Sequence, residues 1–334
     1  MHDAIYAQPG ALRLVGRGNA QAIAGAAERL RAMDHVIVSG IGSSWHAALV
    51  GELWLAGPGQ LGYRARAIHA FELTRYWPSV PERTGGIVVS HRGSAPTARQ
   101  AMEKLATAGV GVAVTGKSAE DLPGAAFTLR TVEGEASGTH TVSLTSALAL
   151  LALLAAEIGH DDAFRRALDG VPDQLALLLG QESWEELAKR FASRRRYWFV
   201  GGGPNRATAL EGALKLTETS GASASGFDCE QFLHGPSAAV TDEDLVILVA
   251  PRGPSHAHGL EVARAARRAG APVLAIVGEG DRELAALAAE TIEIAEVPEL
   301  LSPILAVVPL QLFAYHLAVL TGTNPDALHE LRGG

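Results

Sequence analysis

Three charged side chains share one short stretch of the sequence. Glu211, Lys215 and Glu218 stand four and three residues apart among small and apolar residues. These spacings place all three on one stripe of a helix. The stripe can be a surface ladder of ion pairs, which stabilises a helix weakly. It can also be a proton-transfer group directed at a substrate, with a carboxylate as the base.

Histidine is the next residue type that could do chemistry. His234 opens a His-Gly-Pro turn, and His91 lies in a hydroxyl-rich turn. His91 can be a ligand contact, but we interpret it as solvated, because this is the usual state of a turn histidine. His256 and His258 are interpreted as surface residues, since their i, i+2 spacing does not match that of metal ligands. The sequence predicts no metal site and no cofactor.

Hydroxyl-bearing turns follow strand-like runs in the first half. Ser43 and Ser44 follow the apolar run 35–42, where a helix begins. Hydroxyls and free backbone N–H groups there can hold an anion such as phosphate, or a serine can simply cap the helix. The turns 90–97 and 133–141 add further hydroxyls and an arginine, which favours a phosphate site in this half. The glycine pattern matches neither a dinucleotide fingerprint nor a P-loop.

The elements that must position these residues recur along the chain. Apolar strand-and-glycine signals repeat at an offset of about 160 residues, and helical patterns lie between them. Buried strands alternating with helices indicate parallel sheets covered on both faces. The sequence predicts two tandem doubly wound α/β domains related by internal duplication. The predicted divisions are an N-terminal arm (1–18), a first domain (19–160), a helical linker (161–192), a second domain (193–322) and a C-terminal tail (323–334).

Composition narrows the class of partner and compartment. The net charge is −8 and the pI is about 5.8, which argues against nucleic-acid and anionic-membrane partners. The single cysteine, Cys229, excludes an internal disulfide and fits a reducing cytoplasm. No apolar leader is visible at the N-terminus. The apolar run at 145–159 is interpreted as a buried helix that is too short to span a bilayer.

Two longer motifs carry a resemblance to a known family. The run "ALEGALKLTE" (209–218) leading to "HGP", together with "VVPLQLFAYHLAVLTGTNPD" (307–326), resembles the double-SIS sugar-phosphate isomerases. The likeness is strongest to the isomerase half of glucosamine-6-phosphate synthase, and it covers essentially the whole chain. It implies two flavodoxin-like SIS domains that bind a phosphorylated sugar.

The resemblance also implies roles for individual residues. Glu218 falls at the base that moves a proton between C1 and C2, supported by Glu211 and Lys215. His234 matches a ring-opening histidine supplied by the neighbouring subunit, which implies a homodimer with a shared active site. The residues predicted to bind substrate are Ser43, Ser44, Ser90, Arg92, Thr97 and Gly138.

Departures from the family pattern shape the predicted reaction. The second hydroxyl-rich turn (90–97) is two residues longer than the usual turn of the family and carries Arg92 at a serine position. The C-terminal run "NPDALHELRGG" lacks the lysine that forms an imine with a ketose in the synthase. With no glutaminase domain in the sequence, glutamine-dependent amination is not expected. We predict a cytoplasmic aldose–ketose isomerase, or a related deaminase or deglycase, acting on a hexose or aminohexose 6-phosphate through an enediol or enolamine. The alternative is a sugar-phosphate sensor without turnover.

Overall fold

The structure is a computed structural model that describes residues 1–135, 137–181 and 183–327. Contacts divide the described chain into two compact units. The first unit comprises residues 7–135 and 140–172. The second comprises residues 1–6, 137–139 and 173–327, and it begins with the short helix α1 (His2–Tyr6).

The first unit is built on a five-stranded parallel sheet. Its strands are β1 (His35–Ser39), β2 (Ala65–Ala67), β3 (Thr84–Val89), β4 (Gly111–Thr115) and β5 (Phe127–Arg130). They pair in the order β2-β1-β3-β4-β5, and every pair is parallel. Valine and isoleucine fill much of β1, β3 and β4, which are almost wholly buried. Such continuous apolar strands are typical of a parallel sheet with both faces covered.

Helices cover this sheet. They are α2 (Gln8–Arg31), α3 (Ser43–Ala56), α4 (Ala70–Arg75), α5 (Pro96–Ala108), α6 (Val142–Gly159) and α7 (Asp162–Asp169), with a 3₁₀ turn at Gly62–Arg64. The edge strand β5 is covered by α2. There the Asn19 side-chain amide donates to the Arg130 carbonyl at 2.8 Å and accepts from the Arg130 N–H at 2.7 Å. These contacts satisfy edge backbone groups that would otherwise stay open for pairing.

The second unit repeats this plan. Its strands are β6 (Tyr197–Gly201), β7 (Ala224–Asp228), β8 (Leu245–Ala250), β9 (Val273–Gly278) and β10 (Glu290–Ile294), all parallel in the order β10-β9-β8-β6-β7. Its helices are α8 (Val171–Leu179), α9 (Trp184–Phe191), α10 (Asn205–Ser220), α11 (Cys229–Leu233), α12 (His256–Arg268), α13 (Arg282–Ala285) and α14 (Ser302–Leu320), with 3₁₀ turns at Pro236–Ala239 and Glu299–Leu301. The division between the two units falls within α8.

The predicted fold class is confirmed at the level of two parallel α/β units. Counted within each unit, both sheets have the strand order 2-1-3-4-5, which is the flavodoxin-like doubly wound order. Descent by internal duplication stays a prediction, as do the predicted domain boundaries. The boundary at residue 18 falls inside α2, and the predicted tail (323–334) is described only to residue 327.

Two helices are long and apolar enough to cross a membrane by length and composition. The helix predicted at 145–159 extends to Val142–Gly159, so the expectation that it is too short is wrong. However, 89% of this segment is buried inside the protein, as is 78% of the segment Glu299–Leu320. The interpretation of a buried core helix therefore rests on packing and not on length.

Candidate active site

The helix α10 carries the charged stripe. It follows the glycine turn 201–203 and ends at Gly221, whose φ of 68° is the left-handed conformation that commonly terminates a helix. Gly212, within the stripe's turn of helix, is required by close packing. A Cβ atom there would lie 2.7 Å from both Leu310 on α14 and Phe199 on β6. The glycine thus lets α10 lie tightly between these two elements.

The predicted stripe is real, and it is buried. Lys215 Nζ lies 3.4 Å from Glu211 Oε1 and 2.5 Å from Glu218 Oε2. The side chains of Lys215 and Glu211 are 1% and 2% exposed, whereas that of Glu218 is 25% exposed. The interpretation as a surface ladder is therefore wrong. We call these three residues the buried triad.

Electrostatics keep the Lys215 ammonium group charged. Burial alone lowers the pKa of Lys215, but the charges of Glu211 and Glu218 and their hydrogen bonds more than reverse this effect, and the pKa is raised. The ammonium group therefore stays protonated and holds both carboxylates. Because Glu218 alone is partly exposed, it is the member of the triad that a substrate can reach.

The structure places His234 in the same unit and near its surface. It follows α11 and precedes Gly235, whose φ is 147°. Its Nδ1 lies 2.8 Å from the Glu230 carbonyl oxygen and 3.3 Å from the Glu230 carboxylate. The side chain is 71% exposed, and its recorded polar contacts are with Glu230 and not with the buried triad.

The serine turn after β1 begins α3 at Ser43. The N-cap residue is Gly42, with a φ of 58°, so the alternative that a serine caps this helix is wrong. The turn is tight, because a Cβ atom at Gly40 would lie 2.4 Å from the Ser44 carbonyl oxygen. Ser43 and Ser44 both line a small cavity of about 30 Å³ in the first unit.

The remaining predicted binding residues are placed differently. Ser90 is buried at the end of β3, and its N–H donates to the Val114 carbonyl at 2.9 Å. Arg92 is exposed, and Thr97 is half-buried in the first turn of α5. None of these three is among the residues that line the cavity. Gly138 belongs to the second unit, where its N–H donates to the Asp326 carbonyl at 2.8 Å.

Two histidines, His91 and His140, also line this cavity, and the sequence analysis predicted a functional role for neither. His91 is not a solvated turn residue. It packs edge-to-face on His140, with ring centroids 4.8 Å apart. Burial, with smaller effects from His140 and Arg92, lowers the pKa of His91 to about 4. The imidazole of His91 is therefore neutral at physiological pH.

The carboxylate of Glu135 lies beside this pair. It accepts hydrogen bonds from the N–H groups of Thr141, Val142 and Ser143 and from two hydroxyls, so it caps the N-terminus of α6. Burial by itself raises the pKa of Glu135, but His140 and the Ser143 and Thr141 donors outweigh it and lower the pKa to about 2. Glu135 is thus a buried, ionised carboxylate.

Comparison with known proteins identifies the fold family. Residues 190–321 match the model of the SIS domain. The chain is therefore similar to SIS-domain proteins over this segment. An isomerizing glutamine–fructose-6-phosphate aminotransferase of Thermococcus kodakarensis is 33% identical over 345 residues, covering 98% of this chain and 56% of that protein. The chain therefore spans about half the length of the curated relatives it matches.

Solved structures also match almost the whole chain. The C-terminal domain of glucosamine-fructose-6-phosphate aminotransferase from Francisella tularensis gives a TM-score of 0.88 at 19% identity, covering 98% of this chain and 97% of that one. Tagatose-6-phosphate ketose/aldose isomerase from Escherichia coli gives 0.83 at 21% identity, with 99% and 96% covered. These likenesses show a shared fold, and the predicted resemblance to the isomerase half of the synthase is confirmed.

Proposed function

We propose that this protein is a sugar-phosphate aldose–ketose isomerase, or a closely related aminosugar-phosphate deaminase or deglycase. Its substrate is a hexose or aminohexose 6-phosphate, and the intermediate is an enediol or enolamine. One observation carries the proposal: Glu218 is the partly exposed end of a triad whose other members are buried. The kinship with proteins named as isomerizing aminotransferases supports it.

Glu218 acts as the general base. Its carboxylate takes the proton from the carbon next to the substrate carbonyl and returns it to the neighbouring carbon, so the reaction is an internal redox exchange that needs no external electron carrier. Such base catalysis contributes roughly 10²- to 10⁴-fold. Lys215, 2.5 Å away, holds the Glu218 carboxylate in position before the transfer, and Glu211 balances the lysine charge.

Further roles are proposed for the serine turn of the first unit and for His234. Ser43 and Ser44, at the start of α3, supply hydroxyl and N–H donors for the phosphate. His234, exposed on its own chain, opens the sugar ring in the active site of its partner in a homodimer. We place the reaction in the cytoplasm, because the one cysteine is a buried free thiol.

The test is proton NMR in D₂O with fructose 6-phosphate and, separately, with glucosamine 6-phosphate. Wild type is expected to exchange deuterium into C1 or C2, and Glu218→Gln is expected to lose roughly 10²- to 10⁴-fold of this rate. Glu261→Gln is the matched control, since Glu261 is an exposed glutamate of the same unit on α12.

The results of this experiment distinguish between the isomerase, the deaminase and the sensor. Ammonia released from the amino sugar selects the deaminase. Exchange that persists undiminished in Glu218→Gln removes this residue from the mechanism. Binding of either sugar phosphate with no exchange would reject catalysis on these substrates and favour the sugar-phosphate sensor.

A further inference from the structure

Three side chains from two stretches of the first unit converge beside the cavity at the serine turn. His91 follows β3, whereas Glu135 and His140 lie in the segment between β5 and α6. A candidate ligand atom from each of the three lies within 4.8 Å of those from the other two. His140 Nδ1 is 3.6 Å from Glu135 Oε2, which is too long for a hydrogen bond. We call these residues the His–Glu–His cluster.

The two rings carry polar atoms that nothing in the described part of the chain satisfies. The Nδ1 atoms of His91 and His140 are both buried and have no hydrogen-bond partner there. Burying such a nitrogen without a partner costs free energy, so most buried polar groups in native proteins are paired. Two imidazole nitrogens without a hydrogen bond beside one cavity are therefore suited to a species that is not part of the chain, such as a water or an ion.

The charges around the cavity select the class of that species. The Glu135 carboxylate lies beside the cavity, and the described residues lining the cavity include neither lysine nor arginine. The unpaired Nδ1 atoms of His91 and His140 can each offer a lone pair to a cation. Imidazole nitrogen together with a carboxylate is a ligand set favoured by zinc and similar transition-metal ions.

We propose that His91 and His140, backed by Glu135, bind a divalent transition-metal ion of the zinc class. The imidazoles are the direct ligands. Glu135 supplies negative charge beside the ion, with its Oε2 3.6 Å from His140 Nδ1. Its own oxygens already accept the donors at the start of α6, which holds the carboxylate in place.

The site has room for the ion after a small adjustment. Ligand atoms about 2.0–2.1 Å from a tetrahedral zinc lie roughly 3.3 Å apart, so side-chain rotations must bring the two rings closer. Gly116 leaves space for this, since a Cβ atom there would lie 3.0 Å from His91 Cε1. The cavity of about 30 Å³ exceeds the roughly 10–15 Å³ that one water needs.

Zinc binding by the chelator-stripped chain tests this proposal without any sugar present. Isothermal titration with ZnCl₂ is compared between wild type and the double variant His91→Gln/His140→Gln. Wild type is expected to bind one more ion per chain than the double variant. Each single variant should lose at least the roughly 10- to 100-fold in affinity that is typical when a group behind a metal ligand is removed. Co²⁺, titrated in the same way, should show tetrahedral ligand-field bands in wild type only.

The matched control is His160→Asn. His160 is exposed and ends α6 with a φ of 52°, a conformation that asparagine tolerates. This control should bind as wild type does, so that zinc bound by other surface histidines appears as a common background. Circular dichroism establishes that the variants are folded, and zinc should raise the Tm of wild type but not of the double variant.

Equal zinc stoichiometry and affinity in wild type and the double variant would overturn the proposal. A wild-type protein without tetrahedral cobalt bands would overturn it as well. Because the measurement needs no turnover, failure of the proposed isomerase reaction leaves this result unaffected, and the reverse also holds.

Discussion

Replacing Lys215 with methionine tests whether the triad is a buried charge network. The substitution leaves Glu211, whose side chain is 2% exposed, as an ionised group without its cation 3.4 Å away. Glu218 is 25% exposed and can turn to solvent, so most of the penalty comes from Glu211. Removing one partner of a buried pair typically costs about 3–5 kcal/mol. We expect Lys215→Met to lower the free energy of unfolding by that amount at neutral pH.

A surface lysine on a neighbouring helix provides the matched control. Lys189 pairs with Glu186 on α9 at 3.7 Å with the same i, i+3 spacing that joins Lys215 to Glu218, but both side chains are more than 60% exposed. Exposed pairs of this kind contribute about 0–1 kcal/mol. Lys189→Met should therefore change the unfolding free energy by less than about 1 kcal/mol.

The assay is urea unfolding followed by circular dichroism, with hydrogen exchange across α10 to assign the transition to the second unit. The double variant Glu211→Gln/Lys215→Met should regain part of the loss, because it no longer buries an unpaired charge. Acidification should reduce the penalty in Lys215→Met, since protonation neutralises Glu211. If Lys215→Met costs no more than Lys189→Met, the triad does not behave as a buried network and the reasoning for Glu218 fails.

Three further predictions concern the second unit. Burial and neighbouring carboxylates raise the pKa of the Cys229 thiol to about 12. The thiol should therefore resist iodoacetamide near neutral pH and react fully after denaturation. Rapid labelling of the native protein would contradict this prediction. If the histidine acts across a homodimer, co-refolding inactive Glu218→Gln with inactive His234→Gln should restore activity, because one active site of each mixed dimer then carries both wild-type residues. A histidine that acts within its own chain would give no recovery of activity. Gly212→Ala should destabilise by about 1–3 kcal/mol in urea unfolding through overpacking, while Gly10→Ala, where a Cβ atom meets nothing within 4 Å, should be neutral or stabilising.

The sequence predicted the features that depend on local periodicity. The spacing of Glu211, Lys215 and Glu218 determined that they share a helix face, and α10 confirms it. The strands β3 and β8 were predictable because both faces of a parallel sheet are buried, which leaves continuous apolar runs. The sequence did not predict whether the charged stripe faces the protein interior or solvent, since small and apolar residues surround it on every side of the helix.

The His–Glu–His cluster could not be found from spacing. His91 and Glu135 are far apart in sequence, and Glu135 and His140 lie in an irregular segment without helical or strand periodicity. The pairing of β3 with β4 and of β4 with β5 brings the following turns to one edge of the sheet. The only sequence signal was that a histidine and a carboxylate each occurred in hydroxyl-rich turns after these strands.

The buried triad stands on a helix, whereas the His–Glu–His cluster lies in loops and the serine turn joins β1 to α3. This difference follows from the chemistry proposed for each set of residues. Proton transfer requires a base at a fixed distance from carbon, and Glu218 stands on α10, which is tied to α14 by hydrogen bonds from Asn205 to Ser302 and from Thr219 to Ala314. A helix pinned near both ends cannot easily shift its stripe. Anion or metal binding instead requires converging donors or lone pairs from several directions. Turns at the carboxyl edge of a parallel sheet supply these, because each strand delivers its next few residues to the same place.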